Sequence, residues 1–358
     1  MQHTLGTYLK EARKIKSLKI KELSALTSID PAIISKIENT DRLPTDTQLQ
    51  ALSNALGQSY GDLRKHYLAE KIYQLLEHED FAYESFILAE PRVEYLAGKK
   101  ALDTIELNEN TLRALAELDQ LQAQWATLKG LSGIRREKMD EYFSLKYTYE
   151  SNKIEGNTLT LSQTTAVIKD GITIAGKSIQ DHLEAINHEE AIQLLYDLAK
   201  TKVSFSKHTL LQLHSIILRG INSRYAGTYR DVPVRITGSE HIPPQPFLLV
   251  KMMEDYFMYY DLHKSRIHPV ILAAEMHERL VTIHPFIDGN GRTARLVMNL
   301  ILVAHGFPIA ILKGDDVSRQ RYYDALSDVQ IDKDPAAFYT LVIEALKASL
   351  EEHIELAK

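Results

Sequence analysis

The chain has 358 residues, enough for two or three domains with a sizeable core, and its 42 basic and 48 acidic side chains give a net charge of −6. That balance carries no global signature of polyanion binding, and the absence of cysteine excludes disulfides, thiolate zinc sites and cysteine nucleophiles while suiting a reducing cytoplasm. The opening residues have no apolar signal-peptide core and the run LVMNLILVA is too short to span a bilayer, so a soluble, cytoplasmic protein without a membrane partner is expected.

Helical periodicity dominates nearly throughout. Leu5, Leu9, Ala12 and Ile15 fall on one stripe over residues 5–16, and IKELSALT (20–27) forms a second short helix. PAIISKIEN (31–39) forms a third, with Asp30 as its N-cap and Pro31 in the first helical position. After the loop at RLP, a fourth capped helix runs through TDTQLQALSNAL and stops at a glycine. With its IISKIEN and TQLQALSNALG strings, this pattern resembles helix-turn-helix domains of the phage-repressor (XRE-like) type over about residues 4–66. In that family the third helix enters the major groove. Here it begins Pro31, Ala32, Ile33, none of which reads a base bidentately, so Ser35 and Lys36 are the expected DNA contacts. Residues 1–68 hold ten basic and seven acidic side chains, net +3, which leaves −9 for the remainder. The cluster from Lys10 to Lys21 suits phosphate contacts, and a homodimer would strengthen binding through paired half-sites. A helix-turn-helix used for protein contacts is the alternative.

Residues 67–128 read as long amphipathic helices, broken near AEPRVEYLAGKK by Pro91 and Gly98, and as a connector without chemistry; Trp125 reads as a packing residue. ESNKIEGNTLTLSQT (150–164) contains a glutamate before a glycine, which by itself is an ordinary helix end. In GTYRDVPVRITGSEHIPPQP (227–246), VPVRI alternates as a strand does, TGSE can turn, and HIPP can return as an edge strand ending at prolines. That hairpin is the one convincing β segment.

The richest stretch is HPFIDGNGRTAR (284–295), followed by an apolar, helically spaced run ending at Gly306. A glycine-rich turn that opens a helix is an anion site, because the first amides are unpaired and the dipole is positive there. Arg292 and Arg295, three residues apart, share a face of that helix. Asp288 could hold a magnesium ion that also touches substrate phosphates, and His284 is the general base to hand.

The stretch matches HPFx[DE]GNGRxxR at every fixed position, and the chain is therefore identified as resembling the Fic family. The resemblance implies transfer of AMP from ATP to a Tyr, Thr or Ser hydroxyl of a protein, the chain itself included. It implies His284 as the base, with magnesium on Asp288. The ATP-binding residues it implies are Thr237, Gly238, His241, Asp288, Gly289, Asn290, Gly291, Arg292, Arg295, Tyr322 and Tyr323. Gln330 stands where the family often has asparagine. Ser151, Glu155 and Gly156 fit the family's inhibitory motif [ST]xxxE[GN], on a helix spanning about 148–157, and imply that Glu155 pairs with Arg295 in the class II manner, inhibiting in cis. The 227–246 hairpin is similar to the flap that pins a target segment by main-chain pairing.

Gly291 stands where kinases of the family carry lysine, which favours adenylylation. Phosphocholine transfer and removal of AMP remain open. A DNA-binding regulator or self-repressing toxin whose Fic core senses ATP is the competing reading. The expected fold is all-α: a helix-turn-helix bundle (1–66), a helical connector (67–128), and a helical core with one β-hairpin flap (129–358).

Overall fold

Thr4 accepts the Thr7 amide and starts α1 (Leu5–Ile15); α2 (Ile20–Thr27) follows, and Asp30 accepts the Ala32 amide at 2.8 Å to start α3 (Pro31–Glu38). Thr45 and Gln48 form a reciprocal capping box at α4 (Asp46–Leu56), which ends on Gly57 in the left-handed region at φ +65°. Two longer helices come next, α5 (Tyr60–Leu76) and α6 (Ala82–Ala101). The computed structural model describes residues 4–101, 105, 107–128, 133–201 and 205–358, and it falls into two units, Met1–Asp103 and Thr104–Lys358.

The first unit closes on Leu5, Leu9, Leu23, Ile34, Leu49, Leu52 and Leu63, all essentially without exposure. Ile15, at the last position of α1, lies outside that core and is exposed. Arg13 does not face solvent as part of the basic cluster. Its Nε and Nη2 donate to the two carboxylate oxygens of the buried Glu38 at 2.6 and 2.7 Å, and Nη1 donates to the Leu18 carbonyl. Lys16 donates to the Ala55 carbonyl near the end of α4. The expected break at Pro91 and Gly98 is absent: α6 runs through both, and the chain turns at 77–81 instead. A proline and a glycine cost a helix interior about 3 and 1 kcal/mol, and the surrounding alanine, glutamate, leucine and lysine positions favour the helix.

The second unit consists of α7 (Glu109–Leu128), α8 (Ile134–Ile154), α9 (Leu161–Asp170), α10 (Ile179–Thr201), α11 (Lys207–Ile217), α12 (Pro246–His263), α13 (Pro269–Ile283), α14 (Asn290–Ala304), α15 (Asp316–Ser327), one π-helical turn (Asp328–Asp332) and α16 (Ala336–Ala357). α13 and α14 pack on each other and are buried along most of their length, their apolar residues together with Glu275, His277, Glu278, Arg292, Arg295 and Asn299. α10, α11 and α8 lie against α14, α12 and α16 against α13, and α7 against α16. The segment read as a connector is therefore divided: α5 and α6 belong to the first unit, whereas α7 buries Leu115, Leu118 and Trp125 in the second. Trp125 meets His353 edge-on at 5.2 Å, a packing role.

The expected hairpin is corrected. Residues 230–245 form neither helix nor strand, bend at 231–232 and turn at Gly238 (φ +79°), where the Ser239 amide reaches the Ile236 carbonyl, and there is no strand among the described residues. Pro233, Pro243 and Pro244 remove amide donors a ladder would need. Arg230 ties the arms instead: Nη1 donates to the Val232 carbonyl and Nη2 to that of Pro244. No helix among the described residues is long and apolar enough to cross a membrane.

Candidate active site

The loop between α13 and α14 is built from its own side chains. The Asn290 amide pairs with the main chain of Phe286 twice, accepting from its N–H at 3.0 Å and donating to its carbonyl at 2.9 Å. That side chain therefore shapes the loop, and the first amides of α14 are left without helical acceptors. Gly289 sits at φ +75°, and its N–H donates to Asp288 Oδ1 at 2.6 Å.

His284 caps α13 in the left-handed conformation, φ +51°, which is uncommon for a side chain of this size and recurs at functional sites. Nδ1 lies 3.2 Å from the Val281 carbonyl and so carries the proton, which leaves the Nε2 lone pair free to accept one. Burial pushes the imidazole pKa down to about 4, with Arg230 and His241 adding to the effect, so the ring is neutral at physiological pH.

Arg295 has no exposure. Its Nε donates to Ser151 Oγ at 3.0 Å, and Nη2 donates to the Ser151 carbonyl at 2.9 Å and to Glu155 Oε1 at 2.7 Å; Nη1 lies 3.4 Å from the Tyr322 hydroxyl. Burial works against its charge, but Glu155 outweighs it with help from Tyr322, and the guanidinium stays charged. Gly291 makes room for this pair. A Cβ there would stand 2.3 Å from Glu155 Oε1 and 3.1 Å from Arg295 Nη1, so any larger residue displaces the glutamate. Gly156, at φ +95°, ends the turn after Glu155.

Arg292 is nearly as buried, and its environment differs. Nη1 lies 3.1 Å from Glu184 Oε1 as an ion pair without hydrogen-bond alignment and Nη2 lies 3.4 Å from Asp288 Oδ1, while neither Nε nor Nη1 has a hydrogen-bond partner. Asp288 itself is half exposed. Magnesium commonly takes one or two carboxylates plus substrate phosphates, so one solvent-facing carboxylate beside a helix N-terminus fits that ion. Among the described residues there is no cluster of three or more histidine, aspartate or glutamate side chains that could cage a metal alone.

The other expected site residues are placed as follows. Thr237 and Gly238 form the exposed tip of the 230–245 segment, and His241 donates from Nε2 to the Thr282 carbonyl at 2.9 Å, fastening the returning arm to α13. Tyr322 is buried beside Arg295, within 3.2 Å of His277 Nε2. Tyr323 donates to the Ile154 carbonyl at 3.2 Å, capping the helix that bears Ser151. Gln330 is buried in the π-helical turn. In the first unit, Lys36 is exposed and Ser35 partly so, both on α3.

Two positioning residues carry no sequence signal of their roles. His214 accepts the Gly227 amide at Nδ1 (2.9 Å) and so donates from Nε2 to the Asp288 carbonyl (2.9 Å), with its ring stacked 3.6 Å from Phe286. Burial holds its pKa down at about 4, which keeps that tautomer neutral. Arg230 donates from Nε to the His284 carbonyl at 2.8 Å.

A family model described as Fic/DOC family matches residues 204–302, and one described as Helix-turn-helix matches 9–63. The chain is 33% identical over 308 residues to a protein named Protein adenylyltransferase Fic of Nematostella vectensis, covering 78% of this chain and 70% of that one. The protein of the same name from Drosophila virilis is 33% identical over 251 residues, of which this chain spans half the length. Among solved structures, a Fic domain containing signaling protein from Bacteroides thetaiotaomicron superposes with a TM-score of 0.62 at 28% identity, over 67% of this chain and 96% of that one. Fic-1 of C. elegans superposes with a TM-score of 0.61 at 25% identity, over 97% and 98%.

Proposed function

The chain belongs to the Fic family, and on that premise we propose that it is a protein adenylyltransferase, moving AMP from ATP to a hydroxyl side chain of a protein and held in check by its own Glu155. The observation that carries this is the placing of a neutral histidine with a free Nε2 on the same loop that opens α14 toward an anion. In the reaction, His284 Nε2 takes the proton of the attacking hydroxyl. The oxygen forms a bond to the α-phosphorus, the bond to the β-phosphate oxygen breaks, and pyrophosphate leaves. The α14 amides and Arg292 stabilise the charge that develops, and Arg295, once released, orients the γ-phosphate. Magnesium on Asp288 would supply charge neutralisation at the phosphates.

The segment at 230–245 supports a docking role, since its main-chain groups are not spent on a ladder of their own. Gly291 supports adenylyl transfer over γ-phosphoryl transfer: the lysine of the kinase variant cannot coexist with Glu155 at this spacing. Glu155 also supports a reverse activity, positioning water for removal of AMP. The first unit is read as binding DNA through α3, with Ser35 and Lys36 at the phosphates and bases, and a homodimer would supply the second half-site. We place the protein in the cytoplasm, where ATP is abundant.

The test is incubation with α-labelled ATP and magnesium, scored for label on protein. Glu155→Gly protein should become labelled, and adding His284→Ala should abolish the label while melting behaviour and ATP binding persist. Label retained in the double variant removes the base assignment.

A further inference from the structure

We propose that Glu184 is a positioning residue for the anion site, fixing Arg292 at one end and the loop that follows Glu155 at the other; the inference rests on the adenylyl-transfer reading above. Glu184 lies on α10, outside the loop motif and outside the inhibitory motif, and it is buried. Oε1 lies 3.1 Å from Arg292 Nη1 and accepts from Gln180 Nε2 at 3.0 Å, while Oε2 accepts from Asn157 Nδ2 at 2.8 Å. Asn157 is two residues beyond Glu155, and the same Nδ2 donates to the Asp181 carbonyl at 3.0 Å. Asp181 in turn accepts from the Thr158 amide and hydroxyl at 3.0 and 3.1 Å. The end of the inhibitory segment is thus fastened to α10, and α10 is fastened to Arg292.

The two motif arginines therefore meet carboxylates of different kinds. Glu155 keeps 32% of its side chain exposed, so it can leave Arg295 when a phosphate arrives. Glu184 keeps 9% and is held by two amide donors besides the ion pair with the arginine. A fixed carboxylate 3.1 Å from a guanidinium nitrogen holds that group in place by charge, leaving its hydrogen-bond donors for another acceptor. Nε and Nη1 of Arg292 are both buried and without a hydrogen-bond partner, donors awaiting an acceptor such as a phosphate oxygen. Glu184 has two opposed effects on the nucleotide. Its charge repels the triphosphate, which weakens binding, and its hold on Arg292 aligns a donor for the charge that develops as pyrophosphate departs, which speeds transfer.

That opposition distinguishes positioning from mere structural support. The experiment uses the full-length Glu155→Gly protein as parent, so that the inhibitory pair does not limit the rate. Glu184→Gln keeps the size and the acceptor for Asn157 and loses the charge. It should bind ATP at least as tightly as the parent by calorimetry, yet transfer AMP about tenfold more slowly at saturating ATP, the loss expected for one weakened transition-state contact. Glu184→Asp keeps the charge and should recover part of that rate. A rate equal to the parent's overturns the proposal, as does weaker ATP binding that falls together with the melting temperature. If Glu184→Gln does not fold, Glu184→Asp decides: transfer slower than the parent with ATP affinity unchanged supports the role, and an unchanged rate rejects it. Should the parent itself transfer no AMP, the adenylyl-transfer reading fails, and the affinity comparison still judges Glu184.

Discussion

An arginine–glutamate pair from each unit meets at nearly the same distance: Arg13–Glu38 at 2.6 Å in the first, Arg295–Glu155 at 2.7 Å in the second. The first is bidentate, and both side chains are sealed, with 11% and 4% exposure. The second uses one nitrogen and one oxygen, and although the arginine is sealed, the glutamate is not. Arg13 has two carboxylate oxygens and one carbonyl as acceptors, so losing Glu38 leaves it little. Arg295 keeps Ser151 Oγ, the Ser151 carbonyl and Tyr322 when Glu155 departs. A buried pair that loses one member strands a charge, whereas a pair whose removable member faces solvent can open. The same chemistry therefore staples one unit and, on the proposed reading, gates the other.

The largest effect that can break this comparison is on stability. Glu38→Ala should cost the first unit about 3–5 kcal/mol, the range for an orphaned buried charge. Glu155→Ala should cost the second only about 1 kcal/mol, since Arg295 retains hydrogen-bond acceptors. Thermal unfolding of the full chain followed by calorimetry should show the two units responding separately. Equal losses would mean that Glu155 is a structural residue.

Activity is the next scale. Freeing Arg295 by Glu155→Gly should raise labelling with α-labelled ATP by at least tenfold, which corresponds to about 1.4 kcal/mol of transition-state stabilisation. Arg295→Ala added to it should return labelling to the starting level, because the partner for the γ-phosphate is then missing. Labelling that persists in that double variant would show that the glutamate blocks the site by bulk and not through the arginine.

A third carboxylate sharpens the contrast, because it has almost no partner. Glu278, buried on α13, has its nearest guanidinium contact at 3.8 Å, to Arg279 Nε, which instead donates to Glu275 at 2.8 Å. Burial, with Glu275 beside it, pushes the Glu278 pKa up to about 8. The folded protein holds that proton over a range in which the unfolded chain has released it. Stability from this group is therefore complete below the ordinary carboxylate pKa of 4.5 and is lost as pH rises through about 8. The slope cannot exceed about 1.4 kcal/mol per pH unit for one proton. Urea titrations of wild type and Glu278→Gln between those limits should diverge, with the variant flatter; parallel curves would show the carboxyl already ionised.

What was legible in the sequence divides along the same line. Caps, helix limits and the loop motif are local, and Asp30, Thr45 and Gly57 sit where residue type alone placed them. Contacts between distant segments were hidden. Nothing near Glu38 marks it as the partner of Arg13, 25 residues away, so Arg13 was counted among surface charges. Glu155–Arg295 spans 140 residues and is visible only through resemblance to a family; the sequence assigns no role to His214, and Glu184 lies in a string, KSIQDHLEAINHEEAI, that is similar to the family's segment before the core without a role of its own. The hairpin is absent for a local reason: three prolines in its arms remove donors and favour tying by Arg230.

The smallest effect concerns DNA. If Arg13 is fully committed to Glu38, it contributes no phosphate contact, and the usable charge of the first unit is what remains on side chains such as Lys36. Replacing the pair together, Arg13→Met with Glu38→Leu, should leave the unit folded, since exchange of a buried pair for apolar groups of similar volume is often neutral or stabilising. Retention of the full-length double variant on immobilised duplex DNA should show the wild-type dependence on salt. Lys36→Gln should lower the slope of log affinity against log salt by about one, the signature of one lost phosphate contact. A reduced slope in the pair replacement would mean that Arg13 leaves Glu38 for DNA, so the staple would also be a switch and the two units would be alike in kind. If the wild type shows no retention at low salt, α3 is better read as a surface for protein contacts.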